Sequence, residues 1–304
     1  MGYLDLVDGI LRSGAHGLGE GFIGPQAAWV EAQEAPGGGF PGREGPADLY
    51  YTDFALRALD LVAPQSAAFE TTAKGFLGQI PAGIDNLLEA FSMLSIDRLL
   101  RRRSLVPRID RGHLAEVVRR QSLSDGGFAS CSGELSAYGT FLGSLCVQML
   151  EQVAPDVPDP VPALQALQRP SGGYVERGDS DRAQTNATAA AAGVLLIRGG
   201  LEADAARGAA DFVAGMQADD GGLRAHRDAP EGDLLSSFTG LLTLVMLGSL
   251  AALDLPALAR FIRSAARPQG GFGASPSDAG ADVEYTYYGI ASLALMQSMV
   301  GEEG

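Results

Sequence analysis

Cysteine, positive charge and long apolar runs are all scarce in this chain of 304 residues. Two cysteines, Cys131 and Cys146, do not make a disulfide scaffold, and the expectation is a reduced, cytoplasmic protein. Lysine and arginine total 22 against 37 acids, a net charge of −15. That balance argues against nucleic acid or an anionic membrane surface as the main partner, and solubility accounts for it. No apolar run reaches about 18 residues without a polar break, so no membrane span is expected. The opening MGYLDLVDGILRSGAHGLGEG lacks the basic-then-apolar pattern of a secretion leader. Strand-like alternation is nearly absent, as is any DDxxD run for magnesium. Hydrophobic residues are plentiful at 46%, enough for a large core, which excludes a disordered chain.

What is present is a repeat. PGGGFPG at 36–42, SDGGFAS at 124–130, PSGGYVE at 170–176, DDGGLRA at 219–225 and QGGFG at 269–273 share one pattern. Their common glycines are Gly39, Gly127, Gly173, Gly222 and Gly271, and the last three steps are 46, 49 and 49 residues. The first gap, 88 residues, spans about two steps. It places a worn unit over 77–94, near Gly83, and brings the count to six. In each unit a helical stretch runs into the diglycine, a polar loop follows, and a second, more apolar helix comes next. YYTDFALRALDLV and YTYYGIASLALMQSM are two of these second helices, with apolar residues at helical spacing. The units read as helical hairpins, and the glycine supplies the positive φ that ends the first helix. A more apolar helix is surrounded if it lies inside a second ring, so six hairpins predict a closed barrel of inner and outer helices. An open solenoid is the competing geometry.

The units Q-x4-GGF, Q-x3-GGY and Q-x3-GGL, each followed by an apolar helix, resemble the repeat of the prenyltransferase and squalene-cyclase superfamily. That group includes protein farnesyl- and geranylgeranyltransferase β subunits and class II terpene cyclases. The resemblance runs from about Gln33 to Met299. It implies one all-α domain over residues 1–304, an α/α toroid with an aromatic-lined cavity for an isoprenoid chain. Elementary physics points the same way. Six inner-helix starts at one mouth would present unpaired N–H groups that favour an anion such as diphosphate. Just inside those starts lie Tyr50, Tyr51, Tyr138, Phe141, Phe238, Tyr285, Tyr287 and Tyr288. Their rings either fill the core or line a prenyl tunnel and face a carbocation. Tyr51, Tyr138, Phe238, Tyr285 and Tyr287 are the expected pocket.

The resemblance assigns chemistry residue by residue. Protein prenyltransferases hold zinc with Asp-x-Cys in one repeat and His in the last. Here Asp233 keeps the aspartate, Leu235 stands at the cysteine and Tyr285 at the histidine. Two of three ligands are missing, so the expectation is no zinc and no metal ligands, with Mg2+ accompanying the diphosphate as an option. Arg227, six residues before Asp233, and Arg182 in the preceding unit match the diphosphate-binding cations. Asp233 is then expected to position the acceptor. Class II cyclases protonate an alkene from Asp-x-Asp-Asp. DSDR at 179–182 keeps Asp179 and Asp181 but has Arg182 in the last place. Asp181 is the candidate acid, and helix capping is its bland alternative. The acids Asp282 and Glu284 of ADVEYTYY are the other candidates for protonation. The first reading is thus a prenyltransferase-β-like protein binding an isoprenyl diphosphate. A cyclase-like enzyme and a non-catalytic lipid- or protein-binding toroid are the alternatives.

One charge run stands apart. Residues 97–120, DRLLRRRSLVPRIDRGHLAEVVRR, hold eight arginines. They read either as a solvated face balanced by acids or as a docking face, for a partner subunit or for a lipid diphosphate mouth; the expected partners are thus an isoprenyl diphosphate and a partner subunit or homo-oligomer. Cys131 falls in a polar loop without a cationic neighbour and is not expected to be a nucleophile.

Overall fold

The computed structural model describes residues 2–80, 83–129 and 133–300, so Cys131 lies outside the described residues. Helix α1 (Tyr3–Ala15) comes first. Hairpins follow. The first pairs α2 (Glu20–Glu31) with α3 (Leu49–Val62). In the second, α4 (Ala68–Thr71), a π-helical turn (Thr72–Phe76) and α5 (Leu77–Gln79) stand before α6 (Leu87–Arg101). The third pairs α7 (Arg111–Gln121) with α8 (Ala137–Leu150), and the fourth α9 (Val161–Gln165) with α10 (Thr185–Arg198). The fifth pairs α11 (Ala203–Ala214) with α12 (Leu234–Met246), and the sixth α13 (Leu255–Ser264) with α14 (Val283–Val300). Among the described residues β structure is slight: β1 (Phe128–Ala129) pairs antiparallel with β2 (Leu135–Ser136) in the third unit's loop.

The chain divides into two compact units, residues Met1–Leu114 with Ile262–Gly304, and Ala115–Phe261. In the first, α14 packs between α1 and α3, and α3 packs on α6. In the second, α10 packs between α8 and α12. The apolar contrast within each hairpin has its expected result. Helix α3 is buried nearly all round, whereas α2 buries only Gln26 and Val30. Alanines fill α10, where Ala187, Ala191 and Ala192 are at most 1% exposed and let neighbouring helices approach closely. Helix α1 buries Leu4, Val7 and Leu11. At roughly 1.5–3 kcal/mol for each such side chain, α1 is a fixed part of its unit rather than a loose arm.

The repeat grammar has a physical cause visible in five loops. The residue after the diglycine points inward, and its backbone N–H donates to a hydroxyl one turn into the second helix. These pairs are Phe40 to Thr52, Phe128 to Thr140, Tyr174 to Thr188, Leu223 to Ser237 and Phe272 to Thr286, all at 2.9–3.0 Å. A buried N–H left unpaired there would cost about 1–3 kcal/mol. The worn second unit lacks both halves: Ile84 stands in place of the aromatic and Ala90 in place of the hydroxyl.

The glycines are required by contact with the next hairpin. Gly271 has φ +79°, and a Cβ there would lie 2.6 Å from the Trp29 ring of α2. The same relation sets Phe76 over Gly39, Phe212 over Gly173 and Phe261 over Gly222. The sixth hairpin therefore meets the first as earlier hairpins meet their successors.

Candidate functional site

The starts of the second helices are capped by short polar side chains. Asp48, Asn86, Ser136, Asp233 and Asp282 each accept the N–H three residues on. Helix α10 begins at Gln184 without a side-chain cap. Asp181, three residues earlier, does not cap it. Its side chain is fully exposed, 3.8 Å from Arg169. Arg182 is exposed and lies 3.6 Å from Asp228, and Arg227 is exposed. Asp233 spends both oxygens on Ser236, Oδ1 accepting its N–H at 2.7 Å and Oδ2 its hydroxyl at 2.8 Å. Burial nonetheless pushes its carboxyl up, against those hydrogen bonds. Phe238 is 5% exposed in the core of this second unit, and Tyr138 is 45% exposed.

The zinc fit is poor in the same terms. Leu235 offers no donor, Tyr285 offers a phenol, and both Asp233 oxygens are engaged. Among the described residues no three His, Cys, Asp or Glu side chains converge as a metal site.

The first unit gathers the remaining candidates. Tyr51, Tyr285 and Tyr287 join Tyr50, Phe54 and Tyr288 in one aromatic run along α3 and α14. Ring centroids are 5.2 Å apart for Tyr50–Tyr51, 5.0 Å for Tyr50–Phe54 and 5.3 Å for Phe54–Tyr288. Phe54 also meets Tyr287 at 5.7 Å, and Tyr285 meets Tyr288 at 6.3 Å. The contacts are edge-on or tilted, the arrangement ring quadrupoles prefer.

Acids sit at the upper end of this run. Glu284 is half-buried, and its Oε1 accepts the Tyr50 hydroxyl at 2.7 Å. Burial pushes its carboxyl above the usual range, the Tyr50 hydrogen bond pulls it down, and the nearby Asp282 charge adds to the rise. Arg43 crosses from the first loop, donating from Nε to Asp282 at 2.7 Å and from Nη1 to Asp278 at 3.0 Å. Those hydrogen bonds from Arg43 hold Asp278 well below the usual carboxylate range.

Charged groups that sequence reasoning passed over lie at the lower end. Arg57 Nη2 donates to the Tyr287 hydroxyl at 2.7 Å, and its Nη1 is 3.7 Å from Asp53. Asp53 is 2% exposed, and its Oδ1 has no hydrogen-bond partner. Burial lifts its carboxyl to about 6, outweighing the pull of Arg57. Burial also works against the Arg57 charge, yet Tyr287, Asp53 and Asp8 together hold that guanidinium firmly protonated. The signal was available: Asp53 and Arg57 stand four residues apart in a largely apolar helix.

Five of the eight arginines in the arginine-rich segment are held by carboxylates of the chain itself, while Arg108, Arg119 and Arg120 are exposed. Arg98 and Arg102 bind Asp5 and Asp8 of α1, Arg103 binds Asp60, and Arg101 and Arg111 bind Asp97, at 2.6–3.1 Å. Asp8, Asp60 and Asp97 are at most 6% exposed. These arginines neutralise buried carboxylates, most of them supplied by distant parts of the chain.

Comparison with known proteins follows the same line. A model of the prenyltransferase α/α-toroid domain matches residues 26–158 and 147–303. A protein geranylgeranyltransferase-I from Candida albicans, solved with GGPP, superposes with a TM-score of 0.72 at 14% identity. It covers 90% of this chain and 91% of that one. The type II terpene cyclase MstE from Scytonema gives 0.60 at 13%, covering 91% and 97%. An α-1,6-mannanase from Salegentibacter gives 0.59 at 14%, covering 97% and 98%. Such identities carry the fold and not the chemistry. No curated protein sequence matches the chain. The all-α architecture, the diglycine hairpins and the match across nearly the whole sequence place this chain in the prenyltransferase α/α-toroid family.

Proposed function

We propose that the chain is an enzyme that cyclises an isoprenoid chain by protonating it. The carrying observation is Glu284, a half-buried carboxyl hydrogen-bonded to Tyr50 at the head of an aromatic run. An alkene laid on these rings would take the Glu284 proton, and ring faces would stabilise the resulting cation. Tyr51 and Tyr285 belong to the same run and are partly exposed, while Tyr287 is 1% exposed and packs behind them. Asp181 suits the acid role less, because it is fully exposed and lies beside Arg169. Incubation with geranylgeranyl diphosphate in D2O tests the reading. The expected product is a cyclised isomer that carries one deuterium on carbon and keeps its diphosphate. Glu284→Gln should lower its formation at least a hundredfold, in line with the usual worth of a general acid. Diphosphate release with no carbon-bound deuterium would overturn the proposal.

A second reading, prenyl transfer without zinc, draws on the loop before α12. Arg224 Nε and His226 Nδ1 are buried there without hydrogen-bond partners, next to the exposed Arg227. In that reading Arg182 and Arg227 hold the diphosphate and Asp233 positions the acceptor. Diphosphate released only when an acceptor is supplied would favour it. A partner subunit would then be sought by mass measurement in solution.

A further inference from the structure

An open groove of about 740 Å³ lies in the first unit, and no residue of the Glu284 site lines it. It opens where the second hairpin is least regular. There α4 gives way to the π-helical turn, and single π turns recur at functional sites. Along it backbone approaches backbone. A Cβ on Gly38 would lie 2.8 Å from the Thr71 carbonyl oxygen, and one on Gly75 would lie 2.5 Å from that of Gly37.

The charges of this groove are one-sided. Glu31 ends α2, Glu34 follows three residues later and Glu70 lies on α4, with Lys74 the single cation in the lining. Helix α2 has no basic residue in its last turn, so the negative end of its dipole adds to these carboxylates. Each carboxylate uses only its Oε1. Glu31 accepts the Ser66 hydroxyl at 2.6 Å, Glu34 that of Thr71, and Glu70 the Lys74 ammonium. The three Oε2 atoms have no partner among the described residues. Carboxylates gathered at a helix C-terminus repel one another, and a bound cation relieves that repulsion. A metal ion is not that cation, because among the described residues no three His, Cys, Asp or Glu side chains converge on one point. Nucleic acid and anionic membranes carry the wrong sign.

The rest of the lining is small and apolar, with Ala35, Pro36 and Ala67. Arginine suits both parts. Its methylene stem covers small apolar residues, and its planar fork takes carboxylate oxygens two at a time. Three carboxylates that do not converge match several arginines along one extended segment better than one small amine. We propose that this groove docks an arginine-bearing segment of a partner protein. The proposal is independent of the cyclase reading.

The test uses the full chain and an acetylated, amidated five-residue peptide of alternating arginine and glycine, with binding followed by calorimetry. Replacing the three acids together, Glu31→Gln, Glu34→Gln and Glu70→Gln, should weaken binding about tenfold, the worth of three exposed ion pairs. Neutralising three exposed acids elsewhere, Glu116→Gln, Glu151→Gln and Glu202→Gln, should weaken it less than about twofold. Equal losses in the two triple variants would mean that net charge alone attracts the peptide, and the proposal would fail. Unmodified protein supplies a second check. Lys74 is the one lysine of the sequence, so its reaction with an amine-directed reagent, located by mass spectrometry, reports on the groove. Bound peptide should slow that reaction at least fivefold, and an unchanged rate would overturn the proposal. Spermidine binding as tightly as the peptide would also overturn it, in favour of a small polyamine.

Discussion

At the scale of single residues, Asp53 carries a consequence that can be measured without knowing the substrate. Its carboxyl titrates at about 6 in the fold, above the ordinary 3.8, because burial penalises the charge. The folded state therefore holds the Asp53 proton more tightly than the unfolded chain does. That contribution is complete below about pH 4 and is lost as pH rises through about 6. The full span is worth about 3 kcal/mol. Urea melts of wild type and Asp53→Asn should show the difference moving toward wild type by about 2–3 kcal/mol between pH 7 and pH 4. A difference that stays flat across that range would mean that Arg57 keeps Asp53 ionised throughout. The residue-level reading of the site was uneven for a reason these groups make clear. Tyr51, Tyr285 and Tyr287 were legible because helical spacing places them at known points of a repeat. The ion pairs of Arg98 and Arg102 were not. Arg98 and Arg102 find their partners Asp5 and Asp8 on α1, which has no counterpart in the other units, whereas the Arg57–Asp53 pair stood in plain helical spacing and was passed over.

At the scale of elements, the hydroxyl that receives the loop N–H separates the sound hairpins from the worn one. Thr286 is fully buried, accepts from Phe272 at 3.0 Å and donates to the Asp282 carbonyl at 2.6 Å. Thr286→Val keeps the shape and orphans the Phe272 N–H. It should destabilise the protein by about 1–3 kcal/mol in chemical denaturation. A cost no greater than that of an exposed Thr→Val change would show that the bond is incidental. The diglycine–aromatic signature was readable because glycine is forced there by φ and by the neighbouring ring. The second hairpin was readable only from its spacing, since Ile84 and Ala90 have dropped both parts of the signature. The two short strands of the third loop gave no warning, each being two residues long.

At the scale of the whole molecule, the first unit is built from both ends of the chain. Helix α14 lies between α1 and α3, and Gly14 approaches the Ala294 carbonyl so closely that a Cβ would overlap it. A chain ending at residue 282 should therefore lose the order of α1 and α3 while the second unit, whose internal packing is continuous in sequence, survives. Limited proteolysis should then cut within residues 2–114 and spare 115–261. Equal resistance of both segments would show that the first unit folds without α14. The toroid family and the hairpin count were legible from sequence because both follow from a local pattern repeated along the chain. The division into a discontinuous unit and a continuous one depends on pairings between distant ends, which no local pattern records.

The place of α14 also sets a schedule for synthesis. Helix α1 is made long before α14, the helix that covers its apolar face, which follows about 280 residues later. At about 5–20 residues per second, Leu4, Val7 and Leu11 wait on the order of 15–60 s for their partners. Through that interval α1 has α3 and the arginines of α6 to hold it but lacks its main apolar partner. The newborn protein is a natural client for a holding chaperone, and its yield should depend on that holding more than on the stability of the finished fold.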